Sequence, residues 1–138
     1  MLDADALAFL ESEPDWMVLS TLGRDGSAHS VPLGYFVQNS HIYMGCRDRT
    51  QKVRNIERDS RVTLLLASSR GSAVNRGLML RGEADILREP DMLLPLLEQA
   101  ARKRGHPRAA DDPIPPGIAY IRVRPTRVIR WTLEPRKG

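Results

Sequence analysis

Trp16–Val37, WMVLSTLGRDGSAHSVPLGYFV, consists of two apolar, β-prone runs around a glycine-bracketed turn. Trp16–Leu22 is the first run, Gly23-Arg24-Asp25-Gly26 is the turn, and Ser27–Val37 returns as a second strand. Pro32 and Gly34 inside that second strand point to an edge, a bulge or a close approach of ligand to backbone.

The same rhythm continues outward. Gln38-Asn39-Ser40 is a turn and His41–Gly45 a third strand. After the loop Cys46–Arg49 a short helix is predicted over Thr50–Arg58, with Val53 and Ile56 on its buried side. Arg61–Ala67 is a central fourth strand, Ser68–Arg76 a polar, mobile stretch, and Gly77–Leu87 a fifth strand anchored by Leu78, Leu80 and Ile86. Pro90 suits a first helical turn, and Asp91–Lys103 is amphipathic through Leu93, Leu94, Leu97 and Ala101. Gly105–Gly117, with four prolines, is a loop, and Ile118–Leu133 is a long final strand bent at Pro125. Its Ile121, Val123, Val128 and Trp131 face inward or an interface, with Arg122, Arg124, Arg127 and Arg130 opposite. Upstream, Asp3 caps a helix over Ala4–Glu11 that carries Leu7 and Leu10. Tight turns without βαβ alternation predict an α+β fold, mainly β: an antiparallel meander closing into a small barrel with helices outside.

The 138 residues fit one domain, 1–138, with one core. No apolar run approaches a membrane span, and the acidic N-terminus is unlike a signal peptide, so a cytoplasmic protein without membrane contact is expected. Charge is segregated: residues 1–101 carry a net −3 and residues 102–138 a net +7. Of 21 basic side chains 18 are Arg, the better forked donor to phosphate and carboxylate. An anionic partner follows, with nucleic acid, an acidic membrane surface and a phosphorylated cofactor all open.

The single Cys46 excludes an internal disulfide and a cysteine-based zinc site. His29, His41 and His106 lack metal-binding spacing, so no metal is expected. Arg47 and Arg49 beside Cys46 would lower its pKa, but it has no paired His or second Cys. No GxSxG or GxxxxGK[ST] occurs, and no side chain stands out as a catalytic acid, base or nucleophile. The sharpest local feature is Arg47-Asp48-Arg49-Thr50-Gln51-Lys52-Val53-Arg54-Asn55. A strand end, a basic loop and a helix start at Thr50 would converge donors and positive charge on one phosphate-sized spot. The alternative is an ordinary capped helix with a solvated basic face.

Five segments in this order resemble the pyridoxamine 5'-phosphate oxidase-like, FMN-binding split-barrel family. They are Thr21–Ser27; Val31-Pro32 with Ile42-Tyr43; TQKVRNIERDSRV at Thr50–Val62; Leu80–Ala84; and PTRVIRW at Pro125–Trp131. The likeness spans about residues 5–133. It implies a six-stranded antiparallel split β-barrel with flanking helices, working as a homodimer with two flavin sites at the interface. Thr50 and Lys52 match the positions that hold the FMN phosphate, with Gln51 beside them. His29, Ser30, Val31 and Pro32 would line the isoalloxazine ring through backbone groups, and Gly45, Cys46 and Arg47 would border the ribityl chain. Trp131 matches a cofactor-side tryptophan, or serves as a dimer-core aromatic.

Two departures separate the chain from the vitamin oxidase. His29 and Gly34 stand where its R-x-V-L-L-K strand supplies two cations, and the Arg-x-His substrate motif after the tryptophan is missing. Pyridoxine phosphate is therefore not the expected substrate. The Thr50–Val62 segment is equally similar to a branch that uses a deazaflavin coenzyme, whose phosphate and oligoglutamate tail an Arg-rich groove would welcome. The expected function is an oxidoreductase that binds FMN, or else the deazaflavin, and moves a hydride to or from a small organic substrate. A flavin-binding protein without turnover is one alternative. A nucleic-acid-binding barrel is another, but it needs stacking aromatics that the final strand, with Tyr120 and Trp131 alone, does not supply.

Overall fold

The computed structural model describes residues 2–12, 16–68 and 75–133. Helix α1 spans Ala4–Ser12 and starts where Asp3 Oδ1 accepts the Ala6 N–H at 2.8 Å. The cap is the one expected. Strand β1, Met17–Leu22, alternates buried and half-buried positions, as a strand with one face on a core must. The polar stretch 68–76 falls mostly outside the described residues, although Asn75 and Arg76 already belong to a strand.

The expected second strand is in fact two. Ser27–Val37 breaks at Gly34-Tyr35 into β2, Ala28–Leu33, and β3, Phe36–Gln38. Strand β4, His41–Arg47, then leads to α2, Gln51–Arg58, and to β5, Arg61–Ala67. Strand β6, Asn75–Leu87, precedes α3, Pro90–Lys103, and the chain closes with β7, Ile118–Leu133. Seven strands rather than six form one antiparallel sheet in the order β2-β1-β5-β6-β7-β4-β3.

The break at Gly34 explains the barrel. Strands β2 and β3 lie at opposite ends of the sheet order, and seven strands laid flat would hold those ends roughly 29 Å apart. Three Cα steps from Leu33 to Phe36 reach at most about 11 Å. The sheet must therefore curl until its edges meet, which leaves a seam where β2 approaches β4. Tyr35 in the connection is buried, and its hydroxyl donates to the Leu10 carbonyl at 2.6 Å, drawing α1 over one barrel end.

The interior is packed by Met17, Leu19, Ile42, Met44, Leu64, Leu80, Ile121 and Val123 with Leu10 of α1. A second apolar cluster lies outside the barrel under α3, built from Phe36, Leu87, Leu93, Leu96, Leu97 and Tyr120. Leu96, not Leu94, is the buried partner of Leu93 and Leu97; Leu94 stays exposed. Strand β7 bends at the expected place. Gly82 faces Pro125 and Arg81 faces Arg127, so Thr126 is the extra residue of a bulge. Pro125 is tolerated because β4 pairs with β7 only as far as Val123. No helix among the described residues is long and apolar enough to cross a membrane.

Candidate functional site

The segment between β4 and α2 is pinned from below. Asp48 donates its N–H to the Gly117 carbonyl at 2.8 Å, and its carboxylate accepts from Arg88 at 2.8 and 3.0 Å. Arg88 thereby holds the Asp48 carboxyl below its usual range, and it also reaches Glu57 at 3.2 Å. Arg49 turns the chain with φ +60°, its N–H bonded to Asp48 Oδ1. Among the described residues Arg47, Arg49, Lys52 and Arg54 take part in no ion pair.

Thr50 occupies the cap position of α2 without capping it. Its hydroxyl turns back to donate to the Arg47 carbonyl at 3.1 Å and accepts from Lys52 Nζ at 3.3 Å. No side chain therefore caps α2, and its first-turn N–H groups lie beside a hydroxyl and an ammonium. An uncapped helix start with adjacent cations has the donor chemistry of a phosphate site. The residues present fit that group.

Helix α2 is held in place by a polar network that the sequence reading missed. Asn55 is fully buried, donates to Thr21 Oγ1 at 3.0 Å, and accepts from Gln51 at 2.7 Å and Arg58 at 3.3 Å. Arg58 also donates to the Leu22 carbonyl. The available signal was a polar residue between Val53 and Ile56, on the stripe that must be buried.

Gly45 faces outward, and a Cβ there would sit 3.0 Å from the Tyr120 ring. Cys46 points the other way, half-buried against the core. Its thiol pKa is raised by burial, which outweighs the pull of Lys52, so the lowering expected from Arg47 and Arg49 does not occur. Beside Gly45 a cavity of about 430 Å³ opens between β4, β7 and α3, lined by Gly34, Phe36, Tyr43, Lys103 and Tyr120. Lys103 donates to the Tyr35 carbonyl and sits 4.0 Å from the centre of the Tyr35 ring.

His29, Ser30, Val31 and Pro32 lie on β2, which has a sheet partner only in β1. Its other edge, along the seam, offers backbone donors and acceptors. His29 and Val31 turn inward and half-buried, and His29 Nδ1 is buried without a hydrogen-bond partner. One side of the barrel thus gathers the β2 edge, Gly45–Arg47 and Thr50–Lys52.

Trp131 is not part of that gathering. Arg47 pairs with Ile118, and Trp131 follows thirteen residues later on the same strand, roughly 40 Å of extended chain. Its indole lies over Gly77, where a Cβ would come within 2.1 Å of the ring, and 39% of the residue is exposed.

Three of the four arginines on β7 are neutralised by carboxylates. Arg122 pairs with Asp85 at 3.0 Å, Arg124 with Glu83 at 2.7 Å, and Arg130 with Asp3 at 2.5 Å. Among the described residues no group of three His, Cys, Asp or Glu side chains gathers as a metal site would need.

The sequence model of pyridoxamine 5'-phosphate oxidase matches residues 2–132. No curated protein sequence matches the chain. Among solved structures, the conserved hypothetical protein Rv2991 of Mycobacterium tuberculosis superposes with a TM-score of 0.83 at 26% identity, over 95% of this chain and 84% of that one. A protein named F420 reductase superposes with a TM-score of 0.70 at 22% identity, over 88% of this chain and 94% of that one. An FAD-binding protein of Mesorhizobium loti gives 0.72 at 15% identity, over 96% of each chain.

Proposed function

The chain belongs to the pyridoxamine 5'-phosphate oxidase family, and from that premise we propose that it is a homodimeric oxidoreductase using a flavin or deazaflavin cofactor. The observation that carries this reading is the uncapped start of α2, where the Thr50 hydroxyl and Lys52 ammonium flank open backbone N–H groups. Thr50 and Lys52 hold the cofactor phosphate, with Gln51 beside it and Arg47 next to the chain that leads to it. Backbone groups of His29–Pro32 line the ring, and Gly45 and Cys46 border the chain between ring and phosphate. The bound cofactor supplies the redox step, a hydride transfer to or from a small organic substrate. The 430 Å³ cavity beside Gly45, walled on one side by α3, is the space for that substrate.

Two features support a second copy. An apolar row crosses the barrel's outer face through paired residues Pro32, Val18, Leu65, Met79 and Ile129, with Leu65 39% exposed. Such a row on a sheet's outer face marks an interaction surface. Trp131 lies a strand's length from its own Thr50, which supports a role at the site of a partner rather than at its own.

The protein named F420 reductase favours the deazaflavin, and the FAD-binding protein favours a flavin. The test is the visible spectrum of purified protein, followed by fluorescence titrations with FMN and with the deazaflavin. At least one should bind. Thr50→Ala combined with Lys52→Ala should weaken that binding roughly a hundredfold, since two charge-assisted contacts are lost. Unchanged affinity would remove the phosphate from this position, and failure to bind either compound would remove the function.

A further inference from the structure

The outward face of the sheet is zoned in rows two residues apart. The apolar row through Val18, Leu65, Met79 and Ile129 is followed by Ser20, Thr63, Arg81 and Arg127, each directly opposite the next on neighbouring strands. Arg61, Glu83 and Arg124 form a third row. Between the second and third rows lies a recess of about 270 Å³ lined by Ser20, Leu22, Ala28, Arg61, Thr63 and Arg81, with no carboxylate in its wall. The cations of the third row are neutralised, Arg61 by Asp59 and Arg124 by Glu83, both at 2.7 Å. Arg81 and Arg127 are not. Both are exposed, and among the described residues neither side chain makes an ion pair or a hydrogen bond. Like charges directly opposite each other destabilise a strand pair. The two arginines also stand at the β7 bulge, whose extra residue, Thr126, donates its hydroxyl to the Arg81 carbonyl at 3.2 Å. Bulges re-aim the side chains beside them.

We propose that Arg81 and Arg127, with the Thr63 hydroxyl beside them, form an oxyanion site on the barrel's outer face that takes a phosphate group, free or at the end of a small organic molecule. Facing positions on paired strands lie about 5 Å apart at Cβ, so two guanidinium forks close on one tetrahedral anion from opposite sides. Two forks and a hydroxyl offer more donors than the roughly four lone-pair sites of a carboxylate accept, whereas a phosphate presents three strong acceptor oxygens. Binding a dianion there also removes the repulsion between the arginines. The recess beyond Arg81 gives the body of the ligand the Ser20 hydroxyl on one side and the apolar Leu22 and Ala28 on the other. The pair flanks the apolar row on which a second copy is seated, in the place of an interface's polar rim. None of its residues belongs to the β2 edge, to Gly45–Arg47 or to Thr50–Lys52, so the site stands apart from the cofactor reading.

The experiment titrates isotope-labelled wild type with glycerol 3-phosphate at about 0.15 M salt and follows the amide chemical shifts. The signals of Thr63, Arg81 and Arg127 should move, with half-saturation at or below about 1 mM. In the Arg81→Gln, Arg127→Gln double variant that concentration should rise at least about tenfold, since two charge-assisted contacts are lost. Without ligand the variant should melt no lower than wild type, because the facing charges are gone. Equal affinity in the two proteins overturns the proposal, and so does the absence of any shift in wild type up to about 10 mM. Shifts confined to Thr50–Lys52 leave the cofactor reading standing and overturn this site. The last two outcomes are read on wild type alone, so the test holds whether or not the variant folds. Inorganic phosphate titrated in parallel distinguishes the sources. Equal affinity assigns the site to the free ion, and tighter binding of the ester assigns it to a phosphorylated small molecule. An oligonucleotide that moves the same signals at lower concentration, with an affinity that falls steeply with salt, assigns the face to nucleic acid and overturns the proposal.

Discussion

At the scale of single residues, side chains that no composition count distinguishes carry large consequences. Asn55 is fully buried and joins Thr21, Gln51 and Arg58 through its one amide. Asn55→Ala would leave the Thr21 hydroxyl and the Arg58 donors short of partners, at a cost of about 2–3 kcal/mol. Urea unfolding should show that loss, and a change below about 0.5 kcal/mol would mean that the network contributes nothing net. Gly82 is constrained differently. A Cβ there would sit 2.5 Å from the Arg124 carbonyl oxygen, against backbone that cannot swing aside. Gly82→Ala should cost about 2 kcal/mol in the same assay. Cys46 gives a chemical test: with its thiol pKa raised by burial, it should react with iodoacetamide at pH 8 far more slowly than a free cysteine. Rapid labelling would show the seam to be open.

At the scale of elements, acidic side chains pin the ends. Asp3 starts α1 and pairs with Arg130; Asp25 closes the β1–β2 turn on Ser27; Asp48 anchors the loop before α2; Asp59 ends α2 on Arg61. Each carboxyl is held below its usual range by those hydrogen bonds, Asp59 down to about 2 by Arg61. A folded-state pKa below the unfolded value adds stability that is fully present above the unfolded pKa and is lost as pH falls through the folded one. The urea midpoint should therefore hold steady above pH 5 and fall between about pH 4 and pH 2. Asp48→Asn should lower the midpoint at pH 7 and flatten the decline. An unchanged pH profile in that variant would show the loop anchor to be energetically silent.

At the scale of the whole molecule, the barrel's outer face and the position of Trp131 make one prediction together. Leu65→Glu with Met79→Glu places two charges in the middle of the apolar row without touching the core face of either strand. Sedimentation velocity should then show a species of half the wild-type mass. If Trp131 completes a partner's site, cofactor affinity should fall in the same variant. An unchanged mass would refute this interface, and a half-mass species with full affinity would confine the site to one chain.

Local patterns in the sequence were sufficient for element identities. The Asp3 cap, the strand over Arg61–Ala67, the Pro90 helix start and the bend at Pro125 depend on neighbours a few residues away, where alternation, capping and proline geometry act. The split of Ser27–Val37 was legible only as a warning in Pro32 and Gly34. Turning it into β2 and β3 at opposite ends of the sheet required closure of the barrel, a property of all seven strands. The site divides in the same way. Thr50-Gln51-Lys52 beside a basic loop was visible because the phosphate donors are contiguous in the chain. Tertiary structure alone decided that Thr50 does not cap α2 and that burial controls Cys46. It also pairs Arg122, Arg124 and Arg130 with acids as many as 127 residues away and leaves Arg81 facing Arg127 without one. Charge in a sequence is a sum, whereas binding depends on which charges folding leaves without partners.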